Sequence, residues 1–140
     1  MDRRSFMRLS LAATASGVLI PTAALASDKM SGAGGIYYTK EQPGRWAAKA
    51  GGHVPLITLQ KSGADTMVEV VTPHEMKEYE HFIVKHILLD KDYGFIDELM
   101  FDPTKDAQAR SEYKLTGYTG AIYALSVCNK HDTWLSMAEV

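Results

Sequence analysis

The chain holds one cysteine in 140 residues, and that cysteine stands three positions before a histidine in Cys128-Asn-Lys-His131. A thiolate and an imidazole at that spacing, after the apolar run 121–127, read as metal ligands at the mouth of a β-strand. Four further histidines, His53, His74, His81 and His86, are available to complete a site. The plainer alternative is an inert buried thiol with unconnected histidines.

The N-terminus bears on that choice. Arg3-Arg4-Ser-Phe-Met-Arg8 is a twin-arginine pair, followed by a moderately apolar stretch over 9–20 and by Ala24-Leu-Ala26, an A-x-A cleavage signal. About a dozen apolar residues are too few to span a bilayer. Residues 1–26 are therefore expected to be a twin-arginine signal peptide, 27–35 a flexible linker and 36–140 the folded domain. The mature protein is expected in the periplasm, with no membrane attachment. Twin-arginine export carries proteins already folded, often with a metal in place. An exported domain normally pairs its cysteines as disulfides, and a lone exposed thiol there is open to oxidation. Cys128 is thus either buried and inert or held by a metal as thiolate, and His131 favours the metal.

Removing the leader takes Arg3, Arg4 and Arg8 against Asp2 alone, so the formal net charge moves from −2 to about −4. A mildly acidic chain lacks the basic face that phosphate binding needs, which argues against nucleic acid as a partner. About 114 residues remain, enough for one core and not for two.

Short runs rich in branched and aromatic residues recur at 54–60, 67–71, 82–89, 94–101, 111–115, 121–127 and 133–138, with turn signals between them. Seven short strands at such spacing predict an all-β sandwich. The run 82–89 is apolar on both faces, so periodicity alone leaves a helix open there. A helical turn is allowed within 37–48. If His81 opens a strand, His86 lies five residues on and faces the other way, so it is set aside as packed or solvent-facing. His74 and His81 flank a polar, irregular stretch that can curl both rings to one point. His53 follows Gly51-Gly52 at a loop-to-strand junction. The remaining donors thus sit in loops and at strand ends, where sites are usually built.

Three motifs carry a resemblance: His53-Val-Pro55, His74-Glu-Met-Lys-Glu-Tyr-Glu-His81-Phe-Ile83 and Cys128-Asn-Lys-His131-Asp-Thr-Trp134. In that order they resemble the superoxide reductase family, also called desulfoferrodoxins or neelaredoxins, over residues 37–138. The resemblance implies an immunoglobulin-like seven-stranded β-sandwich with one mononuclear iron. His53, His74, His81 and His131 would be its nitrogen ligands and Cys128 its axial sulfur. The implied reaction takes superoxide, one electron and two protons to hydrogen peroxide, with an unidentified periplasmic electron donor restoring the iron. One cysteine cannot build the four-cysteine iron domain of some members, so a single-iron member is expected, and such members are often homo-oligomers.

Two departures from the family pattern stand out. A Glu-Lys pair commonly precedes His-Val-Pro, the lysine drawing superoxide in; here Gly51-Gly52 take those places. Superoxide is an anion and this chain is acidic on average, so local positive potential must steer it. Lys49 and Lys130 are the candidates to supply that charge. Secondly, His74 and His81 are seven residues apart, one more than usual, so the loop must absorb a residue. Glu75, Glu78 and Glu80 read first as surface charges and second as partners of imidazole N–H groups. Trp134 and Tyr123 read as packing.

Two rival readings remain. Cys128-x-x-His131 followed by Met137 resembles the ligand loop of a cupredoxin-like copper electron-transfer protein. Against it, Met137 lies in an apolar run and is expected in the core, and at least two histidines would have no role. A catalytically inactive iron-binding sandwich is the other, given the missing Glu-Lys pair. Zinc's usual four ligands fall short of five donors.

Overall fold

The computed structural model describes residues 31–140, so the leader expected over 1–26 lies outside the described residues. Seven strands form in chain order: β1 (Leu56–Ser62), β2 (Asp65–Thr72), β3 (Ile83–Leu89), β4 (Phe95–Met100), β5 (Ala109–Thr116), β6 (Ala121–Cys128) and β7 (Thr133–Glu139). Alternation of side chains makes them strands with one wet face. In β5 the residues Ala109, Ser111, Tyr113 and Leu115 are buried and those between them are exposed. β1 and β2 are joined by Gly63-Ala64, where Gly63 has φ 61°, as the first position of a type II′ turn requires.

The strands pair as two antiparallel sheets in the orders β1-β2-β5 and β4-β3-β6-β7. This is the expected immunoglobulin-like sandwich, with the fourth strand beside the third rather than beside the fifth. The ambiguous run 82–89 is a central strand, paired with both β4 and β6, and no residue of β3 is fully exposed. β1 starts two residues later than expected, because His53 closes a helical turn and Pro55 follows it.

Between the sheets lies a core of Val68, Val70, Leu88, Tyr113, Leu115, Ile122 and Ala124. A second cluster, Ile83, Phe101, Ala109 and Cys128, sits where β3 begins and β6 ends. Met137, expected in the core, is 59% exposed. Trp134 faces inward on β7 and is fully buried, and Met137, an odd number of residues later, takes the outward face.

Before β1 the chain lies along the edge of β7. Tyr38 donates its N–H to Thr133 O at 2.9 Å, and Leu135 N–H donates to Tyr38 O at 2.8 Å. A 3₁₀ turn (Gly44–Lys49) and one turn of α-helix, α1 (Ala50–His53), then carry the chain to β1. Of the stretch expected as linker, Gly32–Gly35 belong to the same compact unit as the sandwich. No helix among the described residues is long and apolar enough to cross a membrane.

One polar layer ties the sheets together. His86 is fully buried, its Nε2 2.8 Å from Thr72 Oγ1 and its Nδ1 2.8 Å from Ser111 Oγ, and Thr72 Oγ1 is 2.7 Å from Ser126 Oγ. A neutral imidazole satisfies both contacts, donating from one nitrogen and accepting at the other, while the hydroxyls turn to suit. Burial holds His86 at about 4, against an ordinary 6.5. The unfolded chain therefore takes up this proton first as pH falls. The stabilising contribution is complete above pH 6.5 and is lost between there and pH 4, up to about 3 kcal/mol. Urea unfolding of His86→Gln, which offers the same hydroxyls a donor and an acceptor, is expected to lose most of that pH dependence while leaving metal content unchanged.

Candidate metal centre

Five side chains from four segments converge at the end of the sandwich. His53 closes α1, His74 follows β2, His81 precedes β3, Cys128 ends β6 and His131 lies in the β6–β7 connection. Their donor atoms all lie within 4.8 Å of one another. The nitrogens are Nε2 of His53, His74 and His81 and Nδ1 of His131. Neighbouring contacts are 3.0 Å for His74–His81, 3.1 Å for His81–His131 and 3.1 Å for His131–His53. Cys128 Sγ stands 3.6 Å from His131 Nδ1 and 4.0 Å from His74 Nε2. A square of four nitrogens with sides of about 3 Å, the length of the three contacts above, would put each about 2.1 Å from its centre, a metal–imidazole bond length.

Local backbone fixes which nitrogen faces inward. His53 Nδ1–H donates to Lys49 O at 2.8 Å, one helical turn back, and His74 Nδ1–H donates to Glu75 O. His81 Nδ1 is 3.4 Å from the Glu75 carboxylate. Each of these partners draws the proton to Nδ1 and leaves Nε2 as a bare lone pair aimed at the others. No neutral arrangement then makes hydrogen bonds of all three inner contacts, and a cation at the centre satisfies every lone pair at once. Burial, the first cause in each ring, lowers His53 to about 4 and lowers His74 and His131. Neutral imidazoles are what a metal requires.

The sulfur approaches from the core side. Cys128 is 4% exposed, packs with Ile83, Phe101 and Ala109, and accepts the Lys130 N–H at 3.4 Å. Asn129 explains the residue after it. Its side chain accepts Phe82 N–H at 3.0 Å and donates to Glu80 O at 3.1 Å and Tyr79 O at 3.3 Å, stapling the His81 segment to the β6–β7 connection. The seven-residue His74–His81 spacing is absorbed in a reversal at 77–81, where Lys77 and His81 exchange both backbone hydrogen bonds and Glu78 has φ 45°.

The five ligand candidates read from the sequence are thus brought together, and His86 is kept apart in the core. The three acids expected at the surface are all exposed; Glu75 also reaches a ligand ring, whereas Glu80 pairs with Lys77. Lys49 and Lys130 are both exposed beside the site. The exposed Met137 is the register partner of Tyr123, five residue pairs from the Cys128 end of β6, so the copper loop lacks its fourth ligand. Sequence reasoning missed Trp46, whose ring meets the His131 ring edge-on at 4.7 Å between centroids. Its signal was a spacing of seven from His53, two helical turns, through a stretch read only as a possible turn.

Fold and site together define a β-sandwich with a group of four imidazoles and one thiol able to hold a metal. The desulfoferrodoxin family model matches residues 44–137, and the chain belongs to that family, whose members bind a single non-haem iron. A superoxide reductase (neelaredoxin) from Ignicoccus hospitalis, described as E23A, is 25% identical over 75% of this chain and 93% of its own, with a TM-score of 0.65. A protein from Pyrococcus horikoshii described as hypothetical is 26% identical over 63% and 88%, with a TM-score of 0.55. The neelaredoxin of Archaeoglobus fulgidus in its reduced form shares the fold, at 19% identity over 75% and 98% and a TM-score of 0.59. Among curated proteins there is no match.

The Asn129 staple gives a direct test of how the site is held. Asn129→Ala is expected to cost about 1–2 kcal/mol in thermal unfolding and to speed metal loss to a chelator roughly ten-fold.

Proposed function

We propose that the chain is a superoxide reductase, converting superoxide to hydrogen peroxide at one iron held by His53, His74, His81, His131 and Cys128. The observation that carries this reading is the donor set, four imidazole nitrogens and one thiolate sulfur within 4.8 Å. Iron held by that set would supply the one-electron reduction, with the thiolate as its electron-donating ligand.

The chain's own residues do the rest. The buried Cys128 keeps the sulfur on the core side, so the half-buried rings of His74, His81 and His131 border the approach from solvent. Lys49 steers the anion. It stands one helical turn before His53, and its charge lowers both His74 and His131, after burial and nearer groups; at His131 it outweighs that of Lys130. Two protons come from water on that side, with the Lys49 ammonium as a nearby acid. The electron is restored by an external donor, in the periplasm if Arg3-Arg4 directs export of the folded, loaded protein.

Gly51-Gly52 stand where the family commonly has Glu-Lys, and neither position is closed to a side chain. A Cβ on Gly51 would meet nothing within 4 Å, and one on Gly52 only Pro73 O at 3.5 Å. The loss is therefore of charge, not of room.

Mixing the reduced, iron-loaded protein with a pulse of superoxide tests the proposal. One iron oxidised and one hydrogen peroxide formed per superoxide, with no oxygen evolved, is the expected result. Iron that stays reduced would leave an inactive iron-binding sandwich. In the same assay Lys49→Ala is expected to slow the bimolecular step about ten-fold at low salt and to flatten its salt dependence. Gly52→Lys is expected to accelerate it, and Lys130→Ala to matter less than Lys49→Ala.

A further inference from the structure

Three of the four imidazoles have the second nitrogen anchored, on Lys49 O, on Glu75 O and on the Glu75 carboxylate. His131 differs. It turns Nδ1 inward, and among the described residues nothing hydrogen-bonds to its Nε2. The indole of Trp46 packs edge-on against this ring, 4.7 Å between centroids.

Trp46 belongs to a segment that holds itself poorly. The 3₁₀ turn Gly44–Lys49 buries none of its residues, and neither it nor α1 has a side-chain cap. The same segment must carry Lys49 and deliver His53 to the site. At its start Gly44, with φ 50°, lies so close to Gly34 O that a Cβ would reach 2.3 Å from it. Beyond that backbone contact, one carboxylate oxygen and the Tyr38 hydroxyl hold the turn. Asp132 Oδ2 accepts Arg45 NH2 at 2.6 Å and the Trp46 indole N–H at 2.8 Å. The Arg45 guanidinium lies over the Trp46 ring, 4.5 Å from its centroid, and Arg45 Nε donates to Tyr38 OH at 3.3 Å.

Asp132 is itself placed with little freedom. It follows His131 directly, has φ 63°, and its carbonyl accepts Cys128 N–H at 3.0 Å, closing the loop that carries both Cys128 and His131. A left-handed backbone at a non-glycine residue is tolerated best by Asp and Asn.

We propose that Asp132 is a positioning residue that, through Trp46 and Arg45, latches the His53 segment to the Cys128–His131 loop and so sets the orientation of the His131 ring at the metal. The latch rests on the iron reading above. It joins residues more than 80 positions apart in sequence, and because the Arg45–Asp132 pair is exposed, the part-buried, charge-assisted hydrogen bond from the Trp46 indole carries more of it. Trp46 does not bind the metal; it orients the ligand that does, as partners of ligating histidines commonly do.

The test uses the iron-loaded protein and two mild variants. Asp132→Asn keeps size and tolerates the left-handed backbone but forfeits the ion pair with Arg45. Trp46→Phe keeps a ring against His131 and loses the indole donor. Each is expected to release iron to a chelator about ten-fold faster and to displace the thiolate-to-iron absorption band. The double variant is expected to do little more than either alone, since the two residues act as one unit. Thermal unfolding of the metal-free variants is expected to stay close to that of the metal-free parent. Iron release within two-fold of the parent with an unmoved band overturns the latch. Metal-free midpoints that fall as far as the loaded ones overturn it too, in favour of a purely structural contact. A parent protein that binds no iron would instead overturn the reading beneath it.

Discussion

Five lone pairs aimed at one point are the constraint on which the rest of this structure depends. His74 Nε2 and His81 Nε2, 3.0 Å apart with each ring's proton drawn to Nδ1, are unfavourable neighbours unless a cation lies between them. The sandwich sets them there by spending ordinary strand geometry on unusual ends. β6 delivers Cys128 from the core, the short return to β7 brings His131 back, β2 and β3 present His74 and His81 across a reversal, and α1 swings His53 over the top. Each ring that is anchored uses a carbonyl or carboxylate already nearby, so the inner nitrogens are bare before any metal arrives.

Rigidity is unequal across this arrangement. The Cys128 side is backed by Ile83, Phe101 and Ala109 and cannot shift without opening the core. The His53 side rides on a turn that buries no side chain until His53 itself. That asymmetry suits the proposed reaction, in which the thiolate would stay dry and the opposite side would admit a small anion. The buried His86 belongs to a different problem, that of satisfying a polar layer between two sheets, and its ring is as neutral as the ligands for reasons unconnected with metal.

Much of this was legible in the sequence because strands have a period of two and ligands need specific chemistry. The seven strands followed from β-branched runs and turn residues, and the five donors from Cys128-Asn-Lys-His131 and the histidines at strand ends. His86 was separable from His81 by parity alone. What the sequence hid was long-range. Arg45 and Trp46 meet Asp132 across 87 and 86 positions, and no local period links them. Met137 misled because an apolar residue in a strand next to an exposed edge reads like a core residue, though its parity with Trp134 places it outside. Glu75 looked like one more surface acid, and only the folded loop brings its carboxylate to the back of His81.

The central claim is that one iron is held by four imidazole nitrogens and the Cys128 sulfur. X-ray absorption at the metal edge of the protein purified without chelators tests it most directly. One iron per chain is expected, with a shell of four nitrogens at about 2.1 Å and one sulfur at about 2.3 Å, the lengths that imidazole and thiolate take on a divalent metal. Copper or zinc in place of iron, or an iron shell without sulfur, would contradict it.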